Sequence, residues 1–384
     1  MRTKVIDIAF IVAFAFMLLM PMVFVEPSGG GVSEKENRML ASRPALVDLR
    51  KSPSDFIKRF DNWFSDNVWF RECLIDYYHN TLVKLENNVQ YTDGQYLMLI
   101  GEQGHHYFAH TNGWMISKFQ GKPFVSEEQI KGLVDGLNKA KNYLAKRGIP
   151  LVVMFCVDKE TIYPEYYPKS IKRGPEPIQL DIITDYITNH TNVDLFNIKN
   201  CLLSEKGSYS VFNKEGDTSI LSHYSEIGAF FAYQELIKHI NAYMPPIEAF
   251  SIGDVYITFD NRGVYQNIAY VQLMKDITHK RIGADFFDGV PLDNPSQGVA
   301  FKNRDSSLPT ILLMRDSYAG NKDFDYLSRY IPEHFGNTIM IHWRNLKYLN
   351  EYVEYFQPDI VVFESAEREL AGFSNCVAQL QQLD

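Results

Sequence analysis

The carboxy-terminal third of the chain alternates short apolar runs with amphipathic stretches, and few folds accommodate that rhythm. Residues 310–314, 338–342 and 359–364 are apolar and of strand length, while residues 318–330 and 346–356 between them space their apolar side chains as helices do. Strands that alternate with helices pair in parallel, because the crossing helix returns the chain to the same end of the sheet. The same unit recurs upstream. Ser126 with Gln129 three residues on makes a capping box, Ile130, Leu133, Val134, Leu137 and Leu144 fall on one helix face, and Gly148 closes the helix. Pro150 then leads into the apolar run 151–157, which reads as a buried strand. Helices are expected over 176–189 and 227–242, a short strand over 193–196, and a hairpin around Asn261-Arg262-Gly263. The expected fold is an α/β domain over residues 111–384, a parallel sheet with helices on both faces. Ligands of such sheets bind at the carboxyl ends of the strands.

Residues 8–25 carry no charge, close to the roughly 20 residues that a membrane helix needs. Arg2 and Lys4 ahead of them keep that end in the cytoplasm. No clear small-x-small cleavage pattern follows Val25, so residues 1–26 are expected to be an uncleaved signal anchor, with everything beyond Glu26 extracytoplasmic. The Gly-rich stretch 27–32 reads as a tether. Phe56, Phe60, Trp63, Phe64 and Phe70 recur at helical spacing, and the Gly- and Tyr-rich stretch 91–110 reads as a small strand pair. Residues 27–110 are thus a tether and amino-terminal helical extension.

Acidic residues outnumber basic ones, 47 to 38, for a net charge of −9. That balance disfavours nucleic acid, whose binding is driven by Lys and Arg. Aromatic residues make up 14% of the chain, suited either to a sugar-binding groove or to a core. The four cysteines, Cys73, Cys156, Cys201 and Cys376, form no zinc-like spacing. Their even number permits two disulfides in an oxidising compartment. Cys156, inside an apolar run, reads equally as a buried free thiol. His105, His106, His110 and His342 show no ligand spacing with carboxylates, so no metal and no cofactor is expected.

Chemistry concentrates at Arg315-Asp316-Ser317-Tyr318, where an apolar strand ends and a serine precedes a helix. This exposes the hydroxyl at the sheet's carboxyl edge beside unpaired helix N–H groups. Such donors stabilise a tetrahedral oxyanion by about 3 kcal/mol each. The bland alternative is a helix cap. A serine nucleophile needs a base, and His223, just ahead of a helix, is the candidate. A carboxylate normally orients such an imidazole, and Asp217, six residues upstream, is the nearest Asp in the sequence.

These residues sit in a wider pattern. Glu36-Asn37-Arg38 with Pro44, Phe64, Asp66, Phe70 and Arg71, Asp158-Lys159 with Ile162-Tyr163-Pro164 and Pro168, the Asp316-Ser317 block, and Pro358 to Val362 with Glu367-Arg368 occur in that order. Together they resemble the alginate O-acetyltransferase family of SGNH-hydrolase-like proteins, from about residue 33 to about residue 372. That family usually carries Asp-x-His-Trp followed by Gly-Ala. Here Asp217-Thr218 and His223-Tyr224 match its halves, and Ser219-Ile220-Leu221-Ser222 intervenes. Either a bulge returns Asp217 to the imidazole, or another carboxylate serves, or the triad is weakened or lost.

The resemblance implies an SGNH-like, flavodoxin-like sheet and a Ser317–His223–Asp217 site. Arg315, Tyr318, Tyr224, Lys159 and Arg368 are its candidate substrate-binding residues. It implies O-acetylation of an exported polysaccharide through a serine acyl-enzyme, with a multi-pass membrane protein as acetyl source. An esterase using the same residues is one alternative. A catalytically silent polysaccharide-binding or assembly protein is the other.

Overall fold

In this computed structural model the described residues are 14, 16, 32–33, 38–68, 89–92, 96–110, 113–260, 268–320 and 326–383. The expected anchor, most of the tether, Phe70, Arg71 and Cys73 lie outside them. Among the described residues no helix is long and apolar enough to cross a membrane. The chain divides into two compact units, one of residues 1–97 and 109–114, the other of 98–108 and 115–384.

In the smaller unit a helix runs over Pro53–Asn67, started by Pro53 and Asp55 in its first turn. Asp66 accepts the Ala41 N–H at 2.8 Å, and Asn67 donates to the Ala41 carbonyl at 3.0 Å, so the segment carrying Pro44 is tied to the helix end.

The larger unit is built on a seven-stranded sheet. Its strands, in chain order, are β1 (Leu151–Cys156), β2 (Asp194–Asn197), β3 (His279–Arg281), β4 (Gly298–Asn303), β5 (Thr310–Arg315), β6 (Asn337–His342) and β7 (Ile360–Ala366). They lie side by side in the order β3-β4-β6-β5-β7-β1-β2. The five strands anticipated from the apolar runs pair in parallel: β6 with β5, β5 with β7, β7 with β1, β1 with β2. Every residue of β1 and β7 is buried, so both faces of the sheet are covered there, as unbroken apolar runs require. The antiparallel edge formed by β3 and β4 was not anticipated. β3 is short, and its His279-Lys280-Arg281 sequence suits an exposed edge, not an apolar pattern.

Counted from β5, the parallel strands take the order 2-1-3-4-5, which is flavodoxin-like. Counted from the first strand in the chain they do not. The order reverses between β5 and β7, so the binding crevice of such a sheet lies at the carboxyl ends of these two strands.

The longer helices of this unit are α1 (Glu127–Ala145), α2 (Gln179–His190), α3 (Glu226–Ile240), α4 (Leu349–Phe356) and α5 (Leu370–Ala378). In α1 the Ser126–Gln129 capping box is present, and Gly148 takes a positive φ of 72° after the helix ends. A Cβ at Gly136 would stand 2.0 Å from the Val377 carbonyl oxygen, so α1 and α5 meet where only glycine fits. The helix expected over 318–330 is reduced to a 3₁₀ turn, Ser317–Ala319, and a short helix, Leu327–Tyr330. Gly320, with φ 114°, ends the first piece, and residues 321–325 lie outside the described set. The expected 346–356 helix begins as a 3₁₀ stretch, Trp343–Tyr348, before α4. Strands Val255–Asp260 and Ile268–Leu273 pair as the expected hairpin; its turn, including Asn261, Arg262 and Gly263, lies outside the described residues. Cys156, Cys201 and Cys376 carry free thiols.

Candidate active site

β5 ends at Arg315, and the chain turns at once. Asp316 caps the 3₁₀ turn, its Oδ1 accepting the Tyr318 N–H at 2.9 Å and its Oδ2 accepting the Ala366 N–H at 2.7 Å. Ser317 stands between Asp316 and a wholly buried Tyr318. The Gly320 N–H closes the turn on the Ser317 carbonyl at 3.2 Å. Several free helix donors were expected beside the serine. Two N–H groups of the turn, those of Tyr318 and Gly320, are already bonded.

His223 is brought to Ser317 from the far side. Its Nε2 lies 2.8 Å from Ser317 Oγ. Its Nδ1 lies 2.9 Å from the Ser219 carbonyl oxygen and 3.0 Å from Ser222 Oγ. A carbonyl only accepts, so the proton is assigned to Nδ1 and the lone pair to Nε2, the arrangement a general base for Ser317 requires. The segment holding the ring is firmly placed. Ser225 caps α3 through the Gly228 N–H, its own N–H and hydroxyl bond the Val211 and Ser210 carbonyls, and Tyr224 is wholly buried. The His223 ring lies between Tyr318 and Tyr326, 5.0 and 5.4 Å away by ring centres. Burial, reinforced by the Arg368 charge, pushes its pKa down to about 3, so the imidazole is neutral at physiological pH.

The expected contact between Asp217 and His223 is not made. Asp217 is exposed and caps the helical turn Thr218–Leu221, its Oδ1 accepting the Ile220 N–H at 3.0 Å. The four intervening residues therefore coil into a turn that points the Ser219 carbonyl at the imidazole. Sequence proximity marked the carboxylate, but the helical turn sends it elsewhere.

The candidate substrate-binding residues divide by burial. Arg368 reaches the site: Nη1 donates to Asp158 Oδ1 at 2.9 Å and to the Tyr318 hydroxyl at 3.1 Å, and its guanidinium lies 4.9 Å from the Tyr318 ring centre. Tyr318 and Tyr224 are walls instead of contact surfaces. Both are fully buried, stacked edge-on at 4.8 Å, and the Tyr224 hydroxyl donates to the Tyr318 carbonyl. Arg315 is 4% exposed and turned inward, donating to the Asp316 carbonyl at 3.3 Å. Lys159 is 3% exposed, and its three N–H donors go to the carbonyls of His106, Asn213 and Lys214 at 2.7, 2.6 and 3.0 Å. These bonds tie the strand at His106 to the chain leading into the His223 segment and leave no donor for a ligand. Burial draws the Lys159 pKa down to about 7, yet three carbonyl acceptors demand three protons, and we assign it as ammonium.

Sequence reading passed over the ion cluster that carries Arg368. Lys118 lies 2.6 Å from Asp158, 2.9 Å from Glu160 and 3.1 Å from Glu367, all nearly dry. Burial raises the Asp158 pKa, but Lys118 and Arg368 more than offset it and hold the carboxyl below its usual range. Glu160, buried and facing Asp158 and Glu367, is pushed up to about 7 despite Lys118. Charged residues inside the short apolar segment after β1 were the available signal.

No family model matches the chain, and no curated protein sequence matches it. Solved structures do. Bacillus cereus PatB1 matches with a TM-score of 0.51 at 14% identity, over 73% of this chain and 98% of that one. A DHHW family protein from Eubacterium siraeum matches with a TM-score of 0.50 at 12% identity, over 76% and 96%. The O-acetyltransferase domain of Pseudomonas putida AlgJ matches with a TM-score of 0.46 at 17% identity, over 75% and 99%. What the chain has in common with the PatB1 and DHHW structures is the fold, here an α/β domain on a mostly parallel sheet.

Proposed function

We propose that this chain is an O-acyltransferase that passes an acetyl group through Ser317 to a hydroxyl of an exported polysaccharide. The observation that carries the reading is the 2.8 Å approach of His223 Nε2 to Ser317 Oγ, with Nδ1 held by a carbonyl in the tautomer that makes Nε2 the base. The choice of acetyl and polysaccharide rests on the motif resemblance.

In the first half-reaction Ser317 Oγ attacks the acetyl carbonyl and its proton passes to Nε2. The leaving group takes that proton as it departs, and the acetyl group stays as an ester on Ser317. In the second, a sugar hydroxyl gives its proton to Nε2 and attacks the ester, and Ser317 recovers the proton as the product leaves. Nδ1 keeps its proton throughout, donating it to the Ser219 carbonyl oxygen. Arg368, fixed by Asp158, supplies positive charge toward the tetrahedral oxyanion. Export of the domain, anchoring through residues 8–25, and acetyl supply by a multi-pass membrane protein belong to the same proposal.

A structure of Bacillus cereus PatB1 was solved with a sulfonyl adduct, which makes an aryl sulfonyl fluoride a reasonable probe. Ser317 should be sulfonylated, as peptide mass mapping would show, and the unlabelled protein should move acetyl from an activated ester to an oligosaccharide. Release of acetate without transfer would turn the reading to an esterase. No label on Ser317 would turn it to a binding or assembly protein.

A further inference from the structure

We infer that Glu364 is a positioning residue for the Ser317 nucleophile, acting through the backbone N–H of Asp316. The inference rests on the reading of Ser317 as nucleophile and goes beyond it, since nothing above assigns Glu364 a role.

The ladder between β5 and β7 stops before either strand ends. Its register runs from Ile311 opposite Ile360 to Met314 opposite Phe363. Beyond that pair the strands part, at the point where the strand order reverses. Two acidic side chains then take over from the backbone. Glu364, the residue after Phe363, accepts the Asp316 N–H on Oε2 at 3.0 Å. Asp316 answers in the other direction, accepting the Ala366 N–H at 2.7 Å. The same Asp316 side chain accepts the Tyr318 N–H at 2.9 Å. Ser317 is therefore flanked by a residue braced to β7 through both its backbone and its side chain, and by one braced to that side chain.

Glu364 is an unlikely residue for its place on packing grounds. It is 0% exposed in a strand whose every residue is buried, and an apolar residue there would avoid a carboxyl's desolvation cost. A β-strand that continued its ladder would not need it. Because the strands part at the crevice, the Asp316 N–H loses its ladder partner and would be buried unbonded without Glu364. Burial pushes the Glu364 pKa well above its usual range, helped by the Asp316 carboxylate beside it, with the Asp316 N–H, the Cys156 thiol and the Arg315 charge opposing. Burial thus favours the neutral carboxyl, whose carbonyl oxygen would serve as the acceptor and which a glutamine can imitate.

The test compares E364Q, E364D and E364L with the wild-type full chain. Three readouts are taken: the rate of Ser317 sulfonylation, the kcat and KM of acetyl transfer, and the imidazole ¹⁵N shift of His223. E364Q keeps an acceptor at the same reach and should stay within about threefold of wild type in each rate. E364D withdraws the acceptor by one methylene, and E364L removes it. Each should slow sulfonylation and kcat by about 100-fold, the scale of a nucleophile misplaced by about an ångström, with KM little changed. The His223 Nε2 shift should move in E364D and E364L and not in E364Q. Wild-type rates and an unmoved His223 signal in E364D or E364L, with only the melting temperature lowered, would overturn the inference. The imidazole shift is read without turnover, so an inert wild-type Ser317 would defeat the catalytic reading while still scoring Glu364.

Discussion

His223 Nε2 stands 2.8 Å from Ser317 Oγ while the opposite ring nitrogen is held by the main chain, through the Ser219 carbonyl at 2.9 Å. A carbonyl fixes the ring's tautomer and plane as a carboxylate would. It offers a dipole, not a full charge, to the imidazolium that the proposed proton transfer from Ser317 would form.

The two residues should behave as one unit. Ser317→Ala and His223→Ala should each lower acyl transfer by about a thousandfold or more, and the double variant should be no worse than either. Circular dichroism should remain that of the wild type. Retention of full polymer acetylation in cells by Ser317→Ala would reject the enzyme reading.

Asp217→Ala should cost little activity. Its carboxylate caps the Thr218–Leu221 turn, so the loss is that of a cap, about 1 kcal/mol locally, and transfer should stay within about threefold. A drop of several orders of magnitude would show that Asp217, not the Ser219 carbonyl, orients the base.

The pH profile should lack an acid limb near neutrality. With the His223 pKa pushed to about 3 from an ordinary 6.5, the base form persists, and the sulfonylation rate should be flat from about pH 5 to 8. Stability follows the same group. The folded state binds fewer protons than the unfolded state between 6.5 and about 3, so stability is full above 6.5 and declines as pH falls through that window. Urea titrations of wild type and His223→Gln across this range should differ in slope. Equal slopes would contradict the depressed pKa.

Glu160 should produce the opposite slope. Its folded pKa is raised to about 7 from 4.5, so its contribution is present below 4.5 and is lost as pH rises through about 7. Glu160→Gln keeps a neutral side chain in place and should flatten the fall in stability between pH 4.5 and 7. An unchanged slope in urea titrations would place the cluster's extra proton elsewhere.

Much of this could be read from the residues alone. β1, β5, β6 and β7 are apolar runs because a strand covered on both faces admits little else. Ser317 at a strand end and His223 before a helix are chemically conspicuous. β3 escaped because an edge strand tolerates charge and shows no apolar run, and β4, paired on both sides, because its buried Val299, Ala300 and Phe301 make a run of only three residues. The helix over 318–330 was misread because its apolar spacing outweighed Gly320, whose φ of 114° ends the turn. Asp217 was chosen by nearness along the chain, whereas the residue at the imidazole is decided by which way a four-residue turn points its carbonyl. Strand order is invisible in a local pattern, since it depends on which edges meet after the helices have packed.

That order has a consequence for synthesis. β7 lies between β5 and β1 in the interior of the sheet, yet it follows every other described strand in the sequence. While a ribosome is still making residues 360–366, both Ser317 and His223 already exist, but β5 and β1 each face an empty lane with an unpaired, apolar edge. Nascent chains fold amino-terminal segments first, and such edges invite pairing with other chains. The interval before β7 is inserted is therefore when this protein is most exposed to aggregation and when a chaperone would have most to protect. A chain stopped short of residue 360 would contain Ser317 and His223 and have no crevice to hold them.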